Sequence, residues 1–149
     1  MTEGPRITGP WGEDRIEDHL RSTVIPLRLA TSGRTGPTVQ SLWFTWADGR
    51  LWCATQQDAL VVQRLRADPQ CGFEVARDEP PYAGVRGIGE VELIDDRGAE
   101  VLRTLIQRYL GGGSPDLARW LLSRADNETA LAIRPRRLSS WDFSARMDG

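Results

Sequence analysis

The chain contains no lysine; all nineteen of its basic residues are arginine. That absence removes a Schiff-base lysine, a phosphate loop built on Gly-Lys-Ser/Thr, and a lysine general base. There is one histidine, His19, too few for a multi-histidine zinc or non-haem iron centre, so no metal is expected. A nucleophilic triad would depend on His19 alone, and no Gly-x-Ser-x-Gly elbow accompanies it. No apolar run approaches the ~18–20 residues that cross a bilayer. Residues 1–14 lack the basic-then-apolar order of a secretory signal. The reading is a cytoplasmic protein without membrane contact. Cysteine is scarce too: Cys53 and Cys71 sit in apolar, strand-like segments. They could bridge if those strands are neighbours, but a cytosolic setting favours two buried thiols. The net charge is −2 and the arginines are scattered along the chain, which argues against a nucleic-acid partner. What remains is a protein that binds its reagent rather than supplying the chemistry from side chains.

What is present describes one ordinary globular domain: 149 residues, 40% hydrophobic and 27% charged,. Residues 1–12, with Gly4-Pro5 and Gly9-Pro10, read as an irregular lead-in, and 13–149 as the domain. Strand patterns cover 24–31, 38–46, 51–55, 71–76, 85–94 and 129–135, with a short terminal pairing at 141–143. Ala47-Asp48-Gly49-Arg50 between two such runs is a hairpin signal. Helical spacing covers 13–21, 59–67 with Asp58 as a cap, 96–110, and a helix through Ser123 opened by Ser114-Pro115. Gly111-Gly112-Gly113 ends the third of these. Gly87 and Gly89 mark places where something approaches the backbone closely. The connections between early strands are too short for a parallel sheet. The fold class is therefore α+β, mainly β, on an antiparallel barrel with flanking helices.

Several pieces follow one another in a telling order: Leu29-Ala30-Thr31, a Gly-Pro turn, Ser41-Leu42-Trp43-Phe44, and Asp48-Gly49-Arg50-Leu51-Trp52-Cys53-Ala54-Thr55. Leu65-Arg66-Ala67-Asp68-Pro69 and Gly87-Ile88-Gly89-Glu90-Val91 complete the set. The whole, over roughly residues 16–141, resembles the pyridoxamine 5′-phosphate oxidase-like split barrels that bind FMN or a deazaflavin. The resemblance implies a six-stranded antiparallel split β-barrel that pairs as a homodimer, with cofactor clefts at the subunit interface. It places Gln40, Ser41, Leu42 and Trp43 near the flavin ring and ribityl chain, and Ala54 and Thr55 near the phosphate. FMN is the implied cofactor, with the 8-hydroxy-5-deazaflavin coenzyme as the alternative. Where the family often carries basic residues to neutralise the phosphate, this chain has Ala59, Leu60 and Val61. Losing a charged hydrogen bond of that kind costs on the order of 1.5–3 kcal/mol, roughly ten- to a hundred-fold in affinity. The helix beginning there still offers free N–H groups to an anion, while Asp58 repels one. Arg34, Arg50, Arg64 or Arg86 are the candidate replacements.

Each residue also has a plainer role. Gln40 and Ser41 fit a half-exposed strand; Trp43, Trp46 and Trp52 fit barrel core or a dimer contact. Six tryptophans against three phenylalanines nonetheless suit a flat ligand. Arg86 in its Pro/Gly-framed loop either binds an anionic group or is a solvated side chain. Arg134, Arg136 and Arg137 read as a solvated strand end, or as partners of a phosphate or an acidic tail. Trp141 either closes over a ligand or anchors the tail. His19 reads as structural rather than as a haem ligand. The leading function is a flavin-dependent oxidoreductase transferring hydride to a small planar substrate. The alternatives are a non-catalytic barrel holding flavin, haem or another planar ligand, and a barrel that has lost its cofactor.

Overall fold

Asp48 and Gly49 both take positive φ, 56° and 71°, the mirror-image turn for which an Asp-Gly pair is suited. They close the hairpin that the sequence signals, in a computed structural model describing residues 4–147. The elements, in chain order, are β1 (Arg6–Thr8), α1 (Glu13–Ser22), β2 (Leu27–Thr31), β3 (Thr38–Leu42), β4 (Thr45–Ala47) and β5 (Arg50–Gln56). Then come α2 (Leu60–Ala67), β6 (Gln70–Ala76), β7 (Ala83–Ile94), α3 (Gly98–Leu110), α4 (Pro115–Leu122), β8 (Glu128–Asp142) and α5 (Ser144–Met147). One curled sheet runs β3-β2-β6-β7-β8-β5-β4, with β1 added to β8. Every pairing is antiparallel except that of β1 with β8. This is an α+β, mainly β split barrel, as expected.

Eight strands stand where six are expected, because one segment is split and the lead-in adds another; a third difference, a merger, leaves the count unchanged. The segment 38–46 is broken after Leu42, because the Phe44 side chain dives into the core and its N–H donates to the Tyr109 hydroxyl at 3.2 Å. The segments 129–135 and 141–143 are one strand of 15 residues. Pro135 does not end it: the pairing with β7 shifts register at Ile88/Gly89, and Pro135 sits opposite Gly89 at that irregularity, where its missing N–H is tolerated. The lead-in also carries β1, so it is irregular only in part; residues 1–3 lie outside the described residues. Two expected helix caps are absent. Ala59 is the N-cap of α2, one residue past Asp58, and the Ser114 hydroxyl makes no capping bond.

The concave side of the sheet is filled by Ile16 and Leu20 of α1 and by Val61, Val62 and Leu65 of α2. These meet inward residues such as Leu27, Leu29, Phe73, Leu131 and Ile133. Burying each such side chain is worth roughly 1.5–3 kcal/mol. α3 covers the convex side, setting Val101 and Leu105 against Trp52, Ala130 and Ala132. The N-terminal segment is tied down at Asp142, which accepts from the Ser144 hydroxyl and N–H, from Trp11 Nε1 at 3.1 Å, and from Arg15. Those donors, Ser144 foremost, hold the Asp142 carboxyl at about 2.

Cys53 and Cys71 are buried free thiols. Burial raises both, Cys71 to about 12, so neither is a nucleophile at neutral pH. His19 is half-buried, with Nε2 2.9 Å from the Val75 carbonyl oxygen and Nδ1 3.3 Å from the Thr23 hydroxyl. Burial lowers its pKa. With both ring nitrogens engaged, it is a structural histidine. Among the described residues no helix is long and apolar enough to cross a membrane, and no group of His, Cys, Asp or Glu could hold a metal.

Candidate functional site

Where β3 ends and the chain bends inward at Phe44, the neighbouring end of β5 is left uncovered by strand. α3 and α4 roof this gap and leave a cleft of about 310 Å³. Its walls are Ser41, Leu42, Ala54, Thr55 and Gln56 from the strands, Trp43 from the link between β3 and β4, and Leu102, Leu105 and Leu121 from the helices. Trp43 is fixed by stacking on Tyr109, with ring centroids 5.0 Å apart and planes 7° from parallel. The Tyr109 hydroxyl in turn donates to the Ile25 carbonyl at 3.1 Å. The aromatic wall is therefore rigid, held by packing and two hydrogen bonds rather than free to collapse.

The polar end has a different character. Glu128, at the start of β8, is buried to 6% exposure yet lines the cleft. Its Oε2 accepts from Gln56 Nε2 at 2.9 Å; Asn127 donates to Gln56 Oε1 at 3.0 Å, and Gln57 to the Glu128 carbonyl. Burial raises the Glu128 pKa, against the opposing pull of Gln56 and Arg124. Arg124 is the only cation among the lining residues, and its guanidinium lies 5.1 Å over the Trp120 ring. Thr129, opposite Thr55 across the β5–β8 ladder, has a buried hydroxyl without a hydrogen-bond partner.

The raised pKa makes a prediction with a definite sign. Folding disfavours the charged form of Glu128, so wild-type stability falls as pH rises from its unfolded value towards its folded one. Glu128→Gln keeps an acceptor for Gln56 without the charge. It is expected to melt above wild type at pH 7, with the difference shrinking as the pH falls to ~3, below the unfolded carboxyl's pKa, where both states hold it protonated. Melting curves at the two pH values check this; a gap independent of pH would contradict it.

Five of the ten positions singled out in the sequence meet in this cleft: Ser41, Leu42, Trp43, Ala54 and Thr55. The other five do not. Gln40 pairs with Leu29, on the inward side of β3. Ala59 is the N-cap of α2, Leu60 is 58% exposed and Val61 is buried in the core. Arg86 lies on the convex sheet face, over Trp141 at 4.7 Å. Sequence reasoning missed Gln56, Leu102, Leu105, Leu121, Arg124 and Glu128. The leucines belong to helical stripes that read as core, and nothing local marks Glu128 as a cleft residue.

No family model matches the chain, and no curated protein matches it in sequence. Solved structures match it well. The conserved hypothetical protein Rv2991 from Mycobacterium tuberculosis superposes with a TM-score of 0.76 at 25% identity, covering 89% of this chain and 86% of that one. An F420 reductase gives 0.69 at 22% identity, covering 87% and 98%. A candidate pyridoxamine 5′-phosphate oxidase from Listeria innocua gives 0.65 at 16%, covering 85% and 94%. The fold is the pyridoxamine 5′-phosphate oxidase-like split barrel. Against that fold, the cleft suits a flat heterocycle, because its walls are apolar and its Trp43–Tyr109 pair is locked. It suits an anionic tail at the β5 end less well: Glu128 stands there, and α2 begins on Ala59, Leu60 and Val61, without a cation.

Proposed function

We propose that the split barrel holds a flavin-type cofactor, FMN or a deazaflavin, and serves as an oxidoreductase acting on a small planar molecule. The observation carrying this reading is the convergence of Ser41, Leu42, Trp43, Ala54 and Thr55 on one cleft with a rigid aromatic wall. Such a cofactor, when bound, supplies hydride chemistry. The chain's own part is to orient and to exclude water: Trp43, Leu102, Leu105 and Leu121 present apolar surface to a ring. Ser41, Thr55 and Gln56 supply polar groups at the strand ends. At about 310 Å³ the cleft is at the low end of the ~300–1,000 Å³ typical of small-molecule sites. A second copy of the chain, completing the wall, fits that shortfall, and the active form is proposed to be a homodimer.

Glu128 favours a second reading, in which the barrel holds a planar ligand without turnover or has lost its cofactor. A buried carboxylate at the cleft end costs affinity for any phosphate placed there. Haem is the weaker ligand of this class, since His19 is not among the cleft residues and would have to give up one of its hydrogen bonds to ligate iron.

Titration of the purified protein with FMN and with a deazaflavin, followed by tryptophan quenching, separates these readings. Saturable quenching by one of them, with bleaching of the bound chromophore by reductant, supports the oxidoreductase. A protein that ignores both flavins leaves only the second reading.

A further inference from the structure

A phosphate in the cleft needs a cation, and none of the four arginines that the sequence offers in place of the missing charge lines it. Arg50 pairs with Glu92 at 3.1 Å. Arg64 donates to the Thr38 hydroxyl at 2.8 Å, and Arg86 lies over the Trp141 ring. Arg34 stands exposed in the turn between β2 and β3.

Arg124 is placed differently. It lies between α4 and β8, and its backbone is fixed at the edge of the cleft. Its N–H donates to the Leu121 carbonyl at 3.1 Å. Its own carbonyl accepts from Gln56 Nε2 and from the Asn127 N–H, both at 3.2 Å. Gln56 Nε2 also donates to Glu128 Oε2 at 2.9 Å, so one amide ties the residue that carries the cation to the residue that carries the carboxylate. The Arg124 side chain is exposed, and its guanidinium rests 5.1 Å over the Trp120 ring, itself 54% exposed on α4. Its charge favours the Glu128 carboxylate, yet the two form no ion pair. A cation over an exposed ring is held weakly, whereas a guanidinium meeting a phosphate forms paired, charge-assisted hydrogen bonds. Exchanging one partner for the other needs only side-chain torsions, since the backbone stays bonded to Gln56. A guanidinium turned to that end also offsets the Glu128 charge that repels an anion.

We propose that Arg124 makes the cleft select a phosphorylated ligand: its guanidinium leaves Trp120 and pairs with the phosphate at the Gln56 end of β5. The role rests on the flavin reading above and deepens it, because the cation comes from the end of α4 rather than from the start of α2.

FMN and riboflavin, which differ only in the phosphate, are the first pair of probes. A phosphorylated deazaflavin and the same deazaflavin without its phosphate are the second. Tryptophan quenching gives the affinity for each. Wild type is expected to prefer the phosphorylated member of the pair it recognises by at least roughly tenfold. That preference should shrink as salt rises from about 0.05 to 0.5 M. Arg124→Gln is expected to lose the preference while binding the unphosphorylated ring as wild type does. Arg124→Lys should keep the part that comes from charge without the paired geometry. Because Arg124 is exposed, both variants should melt close to wild type. The proposal is overturned if wild type binds both members of the recognised pair equally, or if Arg124→Gln keeps the preference. It is equally overturned if that variant weakens both members alike, because Arg124 then shapes the cleft instead of reading the phosphate. A wild type that binds none of the four probes overturns the flavin reading itself, and the role of Arg124 with it.

Discussion

With the proposed FMN in the cleft, replacing Thr55 by glutamate is expected to weaken its binding at least roughly a hundred-fold, a loss of about 2.7 kcal/mol. Thr55 is half-buried at the cleft end of β5, and the next residue of that strand, Gln56, donates to Glu128. A carboxylate here puts a negative charge at the cleft end where the phosphate would lie. Two like charges ~4 Å apart repel by about 4 kcal/mol at an intermediate dielectric, so even partial screening leaves a penalty of the stated size for a phosphate. The longer side chain also takes up space in a cleft of only about 310 Å³. Tryptophan quenching by FMN gives the affinity, and circular dichroism confirms that the variant is folded. Thr55→Ser retains the hydroxyl and should bind as wild type. Undiminished affinity in Thr55→Glu would mean that the flavin's anionic end does not lie at this end of β5.

The largest effect on stability is expected at Gly98. It is the first residue of α3, and a Cβ added there would run into the backbone of Glu128 and Thr129. Backbone cannot move aside as a flexible side chain can, so Gly98→Val must lift the start of α3 off β8. Overpacking typically costs 1–3 kcal/mol and occasionally more. With backbone on one side of the clash, about 3 kcal/mol is expected, a fall of roughly 6–12 °C in melting temperature for a chain of this size. Because Leu102 and Leu105 of α3 form the cleft roof, the flavin binding proposed above should weaken in the same variant. Urea denaturation gives the first quantity and the FMN titration the second. A variant as stable as wild type would show that α3 does not depend on this close approach.

Much of the fold could be read from local patterns, and the failures have specific causes. The Asp48-Gly49 hairpin was readable because its turn requires positive φ at two adjacent residues, a local property,. The α3 stripe was equally plain, although its first turn is a separate 3₁₀ segment, Asp95–Arg97. The break between β3 and β4 left no local mark, since Phe44 turns inward and its N–H bonds to Tyr109, 65 residues away. Nor could the continuity of β8 be foreseen: Pro135 reads as a stop unless its partner strand is known to shift register at Gly89.

The candidate site divides along the same line. Ser41, Leu42, Trp43, Ala54 and Thr55 were found because a family pattern marks short runs at the end of β3 and in β5. Glu128, Arg124 and Leu121 were not, because they arrive from the far end of the chain. Composition and order alone were enough to exclude lysine chemistry and histidine metal centres and to name the barrel, since those depend on residue identity and short-range periodicity. Two things required the folded chain: that a buried carboxylate, Glu128, lines the cleft beside Arg124, and that four arginines dispersed from position 6 to position 137 share one face. Both are consequences of strand pairing between residues far apart in the chain. No period or motif encodes that register, which is set when the curled sheet buries its apolar side.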